Sequence, residues 1–183
     1  MRRLILIIAL VSIVISAFIS YQLAVERAGE PMKPPVRARP AGEVEIYFTR
    51  WDNQTGKGSL APVKRTLNPG EEALPAAMKD LLEGPTSAES TAGLVSNIPE
   101  GTWLLDFSQE EGVAYLNFNQ TVESGGGSAS IGSRLAQIVY TATAIKGVDA
   151  VRIMIDGKER QTFGGEGFII DHPLRRADVP KEF

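Results

Sequence analysis

Residues 81–85 read LLEGP and residues 96–102 read SNIPEGT, and these two segments decide the path of the chain around them. Gly84 and Pro85 end a helix, because glycine readily takes the left-handed conformation after a last helical turn and proline cannot continue the helix. In the second segment, a proline and a glycine make a turn that opens a strand near Thr102. We therefore predict a helix, a crossover and a β-hairpin in that order.

The chain before the first segment predicts two strands and the helix itself. Residues 44–49 alternate between apolar and polar side chains, as a strand with one buried face does. Residues 60–67 predict a second strand, which Pro62 places at an edge of the sheet. Residues 71–83 predict the helix, and residues 86–93 are a crossover of small residues. The helix carries an apolar stripe at the spacing i, i+4, i+7 and i+8, formed by Leu74, Met78, Leu81 and Leu82.

The chain after the second segment predicts a hairpin and a second helix. Residues 102–107 and 113–118 are the clearest strands, and they are joined by a polar loop. The second helix runs to about residue 144, with Ser128 or Ser130 capping its start.

The remaining strands complete the fold. Residues 148–155 predict a strand with one apolar face, and Asp156-Gly157 is a tight turn. Apolar residues between 163 and 170 predict a short edge strand. The order ββαββαβ with a tail strand predicts an α+β fold, a two-layer sandwich in which two helices cover one face of a mixed sheet.

Composition excludes several kinds of chemistry. The 183 residues contain no cysteine, which excludes disulfides, thiolate catalysis, thiolate zinc sites and a lipidated cysteine. His172 is the only histidine, so the chain offers almost nothing from which to build a histidine triad or a multi-histidine metal site. Residues 43–183 hold 13 basic and 20 acidic side chains, which argues against nucleic acid as a partner.

The N-terminal part has the pattern of a membrane anchor. Arg2 and Arg3 precede an uncharged apolar run, and residues 1–25 predict an uncleaved signal anchor with its N-terminus in the cytoplasm. A cleaved secretory signal is the alternative. Residues 26–42 are a proline-rich linker, and residues 43–183 form the extracytoplasmic domain.

Four groups of residues invite a functional interpretation, and each has a simpler one. The three glycines at 125–127 precede a helix but lack the lysine and spacing of a phosphate-binding loop. Scattered carboxylates could supply a pair for glycan hydrolysis, although acidic residues are common in turns. His172 lies in a polar tail and is expected at the surface. Aromatic side chains could stack on sugars or simply pack in the core. The carboxylates are Asp106, Glu110, Glu111, Asp156 and Asp171, and the aromatics are Tyr47, Trp51 and Trp103.

The ordered motifs resemble the GerMN domain family, which is known from sporulation and germination proteins. The resemblance rests on residues 81–85 and 96–102, the strand GVAYLNF at 112–118, the helix segment QIVYT at 137–141 and the strand VDAVRIMIDG at 148–157. Together these motifs cover about residues 44–170.

The resemblance implies a non-enzymatic envelope domain, similar in fold to ring-building modules, with a role in protein–protein assembly. It implies no catalytic, cofactor-binding or metal-binding residue, and it leaves homo-oligomerisation open. The partner is expected to be an envelope protein or peptidoglycan. Two alternatives stay open: a cell-wall hydrolase using Asp106, Glu111 and Asp156, and a peptidoglycan-binding module using Trp51 or Trp103. The motif residues given a structural role are Leu81, Leu82, Gly84, Pro85, Ile98, Pro99, Gly101, Thr102, Gln137, Tyr140, Thr141, Asp156 and Gly157.

Overall fold

A long antiparallel hairpin opens the part of the chain that the computed structural model describes, residues 42–165 and 167–183. Its strands are β1 (Glu43–Trp51) and β2 (Gly58–Thr66), which pair along their whole length. The alternation predicted for β1 is confirmed, since its apolar side chains are buried. β2 is the edge strand, as Pro62 predicted.

The predicted helix follows as α1 (Ala73–Glu83). Pro75 lies in its first turn, where the missing N–H has no partner to lose. Leu81 is completely buried, so the apolar stripe faces the core as expected. Gly84 ends the helix with a φ of 85°, a conformation that favours glycine.

Residues 86–93, expected only as a crossover of small residues, contain a second helix, α2 (Ser87–Thr91). Thr86 and Glu89 form a capping box in which each side chain bonds the backbone N–H of the other. The helix leads into β3 (Leu94–Val95), which pairs with β1 and gives the first sheet the order β2-β1-β3.

A second sheet holds the later strands in the order β4-β5-β6-β7. They are β4 (Leu104–Glu110), β5 (Val113–Phe118), β6 (Ala150–Ile155) and β7 (Lys158–Glu159). β5 and β6 are parallel and the other neighbours are antiparallel. The predicted hairpin is confirmed, although β4 extends farther toward its turn than expected.

A helical crossover joins the parallel strands, as such a pair requires. It contains a 3₁₀ helix (Gln120–Glu123) and the long helix α3 (Ser128–Ala142). Gly127 is the N-cap residue of α3 and has no side chain to cap with, so the predicted cap by Ser128 or Ser130 is wrong. The helix begins at Ser128, directly after the third of three glycines.

The tail forms a small third sheet in place of the single strand expected there. Its strands are β8 (Thr162–Phe163) and β9 (Phe168–Ile169), which pair antiparallel. Phe163 is completely buried and belongs to the core.

The α+β fold class is confirmed, but the strands divide among three sheets, and the described residues form three α-helices. A contact of Tyr47 in β1 is part of the reason why the strands form separate sheets. Its backbone N–H donates to Oγ1 of Thr141 on α3 at 3.0 Å, so a helix takes the position that a further strand would use. β3 pairs with β1 only at Thr49 and Arg50.

Helix α3 is the centre of the core. Every residue from 131 to 139 is buried, and the helix packs on α1, β1 and β6. A helix that is buried all round must also hide its polar side chains, so these need partners inside the protein.

The predicted anchor, residues 1–25, and the predicted linker, residues 26–42 apart from its last residue, lie outside the described residues. Within the described ranges, none of the helices combines the length and the hydropathy that crossing a bilayer requires.

Candidate functional site

An open groove of about 870 Å³ runs between α1 and the edge strand β4. Pro75 and Leu82 line it on the helix side. Residues 100–107 line it on the other side, where Trp103 is the largest side chain. A concave, mainly apolar surface of this kind is the usual form of a binding site.

The apolar side chains at the groove are exposed to solvent. Trp103 is 67% exposed, Leu105 is 54% exposed and Phe107 is 36% exposed. Three large apolar residues within five positions form a concentrated patch, whereas single exposed apolar residues are common. Such patches on folded domains are typical of interaction surfaces.

A β-bulge shapes this part of β4. Leu104 pairs with Phe118, but Asp106 pairs with Asn117, so Leu105 is the extra residue. Phe118 and Asn117 point to opposite faces of the sheet, and the bulge therefore turns Asp106 away from the face that Leu104 occupies. Without the bulge, the carboxylate would lie on the core side.

The outer edge of β4 carries backbone groups that β5 does not use. A two-residue turn with positive φ at both Glu111 and Gly112 joins the strands, so Glu110 and Val113 form the hydrogen-bonded pair next to the turn. Hydrogen-bonded and non-hydrogen-bonded pairs alternate along an antiparallel ladder. The backbone N–H and C=O of Gln109, and of Phe107 two residues before it, therefore point away from β5.

The rim of the groove is acidic. Glu83, Glu100 and Asp106 line the groove, Glu110 and Glu111 follow farther along the chain at the end of β4, and residues 84–133 contain no lysine or arginine. Lys79 is the basic residue of the lining, and its Nζ lies 3.8 Å from Glu83 Oε1. The groove therefore presents apolar side chains inside a negative border.

The turn that supports Trp103 is held by hydrogen bonds. Thr102 donates from Oγ1 to the carbonyl oxygen of Pro99 at 2.7 Å. Asn119 accepts from the backbone N–H of Trp103 at 2.9 Å and donates to the carbonyl oxygen of Gly101 at the same distance. These bonds fix the exposed indole on a rigid base.

A buried polar network lies beneath this turn. Gln137 donates from Nε2 to Oγ1 of Thr49 at 2.7 Å, and that hydroxyl lies 2.6 Å from Oγ of Ser133. Ser133 donates to Oδ1 of Asn97 at 3.1 Å. Gln137 also accepts from the backbone N–H of Asn97 and from Ser96, at 3.4 Å each. The network connects β1, α3 and the segment SNIPEGT.

Arg134 binds the same segment from below and is only 2% exposed. It donates to the carbonyl oxygens of Asn97 at 2.9 Å, Val122 at 2.8 Å and Gly125 at 3.1 Å. Burial lowers the pKa of its guanidinium below the ordinary value. One side chain therefore holds the segment SNIPEGT, the 3₁₀ helix and the glycine loop that follows it, and the triple glycine serves as part of this clamp.

The structure places six of the thirteen motif residues at this turn or beside it. Ile98, Pro99, Gly101 and Thr102 form the turn, Gln137 contacts the segment beside it, and Leu82 lines the groove. Tyr140 belongs to a neighbouring cluster, where the Arg176 guanidinium lies 4.7 Å from its ring centre.

Asp156 and Gly157 lie elsewhere, in the predicted tight turn after β6, where both have positive φ. Sequence reasoning missed Thr49, Ser133 and Arg134. For Ser133 and Arg134 the signal was a pair of polar residues inside a helix whose apolar stripe predicts burial.

Of the three carboxylates predicted for a hydrolase, Asp106 lines the groove and Glu111 and Asp156 do not. Glu111 lies at the turn that begins β5, while Asp156 lies beyond the opposite end of β6, which is parallel to β5. Six residues of strand span about 17 Å, whereas paired glycosidase carboxylates lie roughly 5–9.5 Å apart. His172 is at the surface, with Nδ1 2.7 Å from Asp171 Oδ1.

The two tryptophans differ in their surroundings. A Cβ added at Gly58 would lie 3.1 Å from the Trp51 ring, so Trp51 packs closely over that glycine. Trp103 is the exposed one of the two and lines the groove. Among the described residues, no group of three or more histidine or acidic side chains is placed to hold a metal ion.

Comparison with known proteins adds a family and a fold. A family model described as Germane, sporulation and spore germination, matches residues 45–161. The chain is similar to the tandem GerMN domains of the sporulation protein GerM from Bacillus subtilis, at 21% identity and a TM-score of 0.60. The match covers 79% of this chain and 47% of that one, so this chain spans about half the length of the tandem structure.

Two further structures are similar. The first GerMN domain of the same protein matches at 20% identity and a TM-score of 0.57, covering 74% of this chain and 98% of that one. A candidate lipoprotein from Clostridium perfringens matches at 20% identity and a TM-score of 0.54, covering 76% and 91%. No curated protein sequence gives a significant match. At these identities, the structural likeness shows the fold.

Proposed function

The chain belongs to the Germane family of sporulation and spore germination, and on that premise we propose that its folded domain binds another component of the cell envelope through the groove between α1 and β4. The observation that carries this proposal is the exposure of Trp103, Leu105 and Phe107 beside the groove. Large apolar side chains, and tryptophan above all, supply much of the energy at protein interfaces.

The hydrogen bonds that hold the turn beside the groove also favour a binding role. The hydrogen-bonded turn and the buried clamp of Arg134 hold the indole in place before any partner arrives. A surface that is already ordered loses little conformational entropy on binding.

The domain acts by binding rather than by catalysis. The groove lining contains no histidine, its one lysine, Lys79, lies 3.8 Å from Glu83, and Glu100 and Asp106 border an apolar surface. Family membership supports a role in assembly during sporulation or germination.

The domain is held at the outer face of the cell membrane by the anchor predicted in residues 1–25. Arg2 and Arg3 keep the N-terminus in the cytoplasm. The linker at residues 26–42 then spaces the domain from the bilayer. The likeness to a candidate lipoprotein supports an envelope location.

Location is tested by fractionating cells and by treating intact protoplasts with protease. We expect the full chain in the membrane fraction, with a C-terminal tag that external protease removes. Intact protein in the cytosol would contradict the location.

Binding is tested by chemical cross-linking in cells that express the full chain. A Trp103→Ser/Phe107→Ser variant should lose the cross-linked complex while keeping its abundance and melting temperature. Ile169→Ser is the matched control, because Ile169 is 64% exposed and lies outside the groove. Loss of the complex in the control alone, or in neither variant, would contradict a role for the groove.

A further inference from the structure

We propose that the groove receives an extended basic segment of a partner protein, which adds as a strand to the free edge of β4. This inference rests on the proposed binding function and names the kind of partner and the way it binds. Three features of the described residues carry it: the free edge, the adjacent apolar groove and the acidic border.

The free edge supplies the backbone contacts. The N–H and C=O groups of Phe107 and Gln109 point away from β5, and β4 is the outermost strand of its sheet. An added strand would use these groups in the way that a neighbouring strand does. Residues 106–110 follow the bulge in regular register, which gives the added strand a straight stretch to pair with.

The groove supplies the side-chain contacts. Successive side chains of an extended segment point to opposite faces, so every second one would enter the space between β4 and α1. There it would meet Leu82, Trp103 and Phe107. The seven residues of β4 match a segment of about six to eight residues with apolar side chains at alternate positions.

Charge selects the partner. The segment's other face would lie beside Asp106 and near Glu110, whereas Lys79, the basic residue of the lining, lies on the helix side at 3.8 Å from Glu83. Lysine or arginine at the remaining alternate positions would therefore be favoured. Opposite charges across a strand pair stabilise it and like charges destabilise it.

The same charges disfavour a second copy of this chain on the edge. Two β4 strands paired edge to edge would bring two sets of Asp106, Glu110 and Glu111 together without a basic residue between them. Charges on an edge strand are a common protection against such self-pairing. The acidic edge therefore disfavours pairing with a second copy of β4 and favours pairing with a basic strand.

The test uses the full chain in non-ionic detergent micelles and a labelled peptide of four Val-Lys repeats, with binding followed by fluorescence anisotropy. We expect saturable binding that weakens as salt is raised. A peptide of four Val-Glu repeats should not bind. Equal binding of the two peptides, or binding of neither, overturns the proposal.

A matched pair of variants isolates the backbone contact. Gln109→Pro removes the outward N–H, and Gln109→Ala keeps it, while both lose the side-chain bond to the carbonyl oxygen of Gly147. We expect Gln109→Ala to bind the Val-Lys peptide like the wild type and Gln109→Pro to bind about tenfold more weakly, as the loss of one or two hydrogen bonds implies. Equal affinities overturn strand addition.

A modified peptide covers the case in which Gln109→Pro does not fold. Methylating the backbone nitrogens of alternate residues blocks one edge of the Val-Lys peptide and leaves its charges and side chains in place. Two such peptides carry the methyl groups at odd-numbered or at even-numbered residues. We expect one of the two to lose binding; binding by both overturns the proposal. If Trp103→Ser/Phe107→Ser abolishes the cellular complex but Gln109→Pro matches Gln109→Ala, only strand addition fails and the binding function stands.

Discussion

Gln137 on α3 donates a hydrogen bond from Nε2 to Oγ1 of Thr49 on β1 over 2.7 Å, and both side chains are completely buried. The bond connects the central helix to the first sheet at the place where the segment SNIPEGT crosses over them. A buried polar pair is stabilising only while every partner is present. The groove above this buried pair therefore depends on hydrogen bonds whose loss water does not make up.

Replacing Gln137 should destabilise the fold strongly. Gln137→Leu keeps the approximate size of the side chain but leaves the backbone N–H of Asn97 and the hydroxyl of Ser96 without their acceptor. We expect the free energy of unfolding to fall by about 2–4 kcal/mol, measured by urea denaturation. Gln120→Leu, at an exposed position in the 3₁₀ helix, should cost less than about 0.5 kcal/mol. Equal losses in the two variants would contradict the role of the network.

Removing the Arg134 clamp should loosen the segment SNIPEGT, the 3₁₀ helix and the glycine loop together. Arg134→Met deletes the donors to the carbonyl oxygens of Asn97, Val122 and Gly125. We expect a loss of about 3 kcal/mol in stability and faster amide exchange in residues 122–127. Arg160→Met, which removes an exposed arginine, is the control and should change neither quantity. Unchanged exchange in Arg134→Met would rule out the clamp.

Gly84 should be required for its backbone conformation alone. Its φ is 85° and its ψ is −177°, a region open almost only to glycine. Gly84→Ala should therefore cost about 1–2 kcal/mol, measured by thermal or urea unfolding. Gly165→Ala is the matched control, because a Cβ at either glycine meets no atom within 4 Å and Gly165 lacks a positive φ. Similar costs at both glycines would show that the helix end does not need this conformation.

The ion pair between Arg65 and Glu89 should make stability depend on pH. Two hydrogen bonds of 2.6 and 2.7 Å from Arg65 hold the pKa of Glu89 at about 2, below the ordinary value of 4.5. Because the folded pKa is the lower one, the pair contributes fully above the unfolded value and is lost as the pH falls toward 2.

Comparison of wild type with Glu89→Gln measures this contribution. We expect the variant to be less stable by roughly 1 kcal/mol at pH 7, with the difference shrinking between pH 5 and pH 2. Glu43→Gln removes a carboxylate from the exposed pair with Lys64 and should show almost no difference at any pH. A Glu89→Gln difference that stays constant down to pH 2 would contradict the sign of the pKa shift.

Local sequence signals predicted the order of the elements. Gly84-Pro85, Pro99-Gly101 and Asp156-Gly157 are places where only a few residue types fit the backbone, so their identity carries the prediction. The spacing of Thr86 and Glu89 is also a helix-start signal, because it matches a capping box, yet the short helix α2 was not predicted.

Local sequence signals did not predict the division into three sheets or the position of the groove. Tyr47 donates to Thr141, 94 residues away, and nothing in either neighbourhood indicates that a helix ends the sheet there. The bulge at Leu105 also leaves no turn residue as a signal. Trp103 was considered for sugar stacking, and only the packing of α1 beside β4 identified its surroundings as an apolar groove with an acidic border.

Hydrogen exchange at the edge of β4 tests the central claim most directly. The full chain would be labelled in its native membranes and, in parallel, after purification in detergent, and exchange would be compared at the amides of Phe107 and Gln109. A partner strand on this edge should slow both amides by at least about tenfold in the native membranes. The amides of β7, the strand at the opposite edge, should exchange equally in the two preparations. Equal exchange at Phe107 and Gln109 in the two preparations would contradict the addition of a partner strand to the edge of β4.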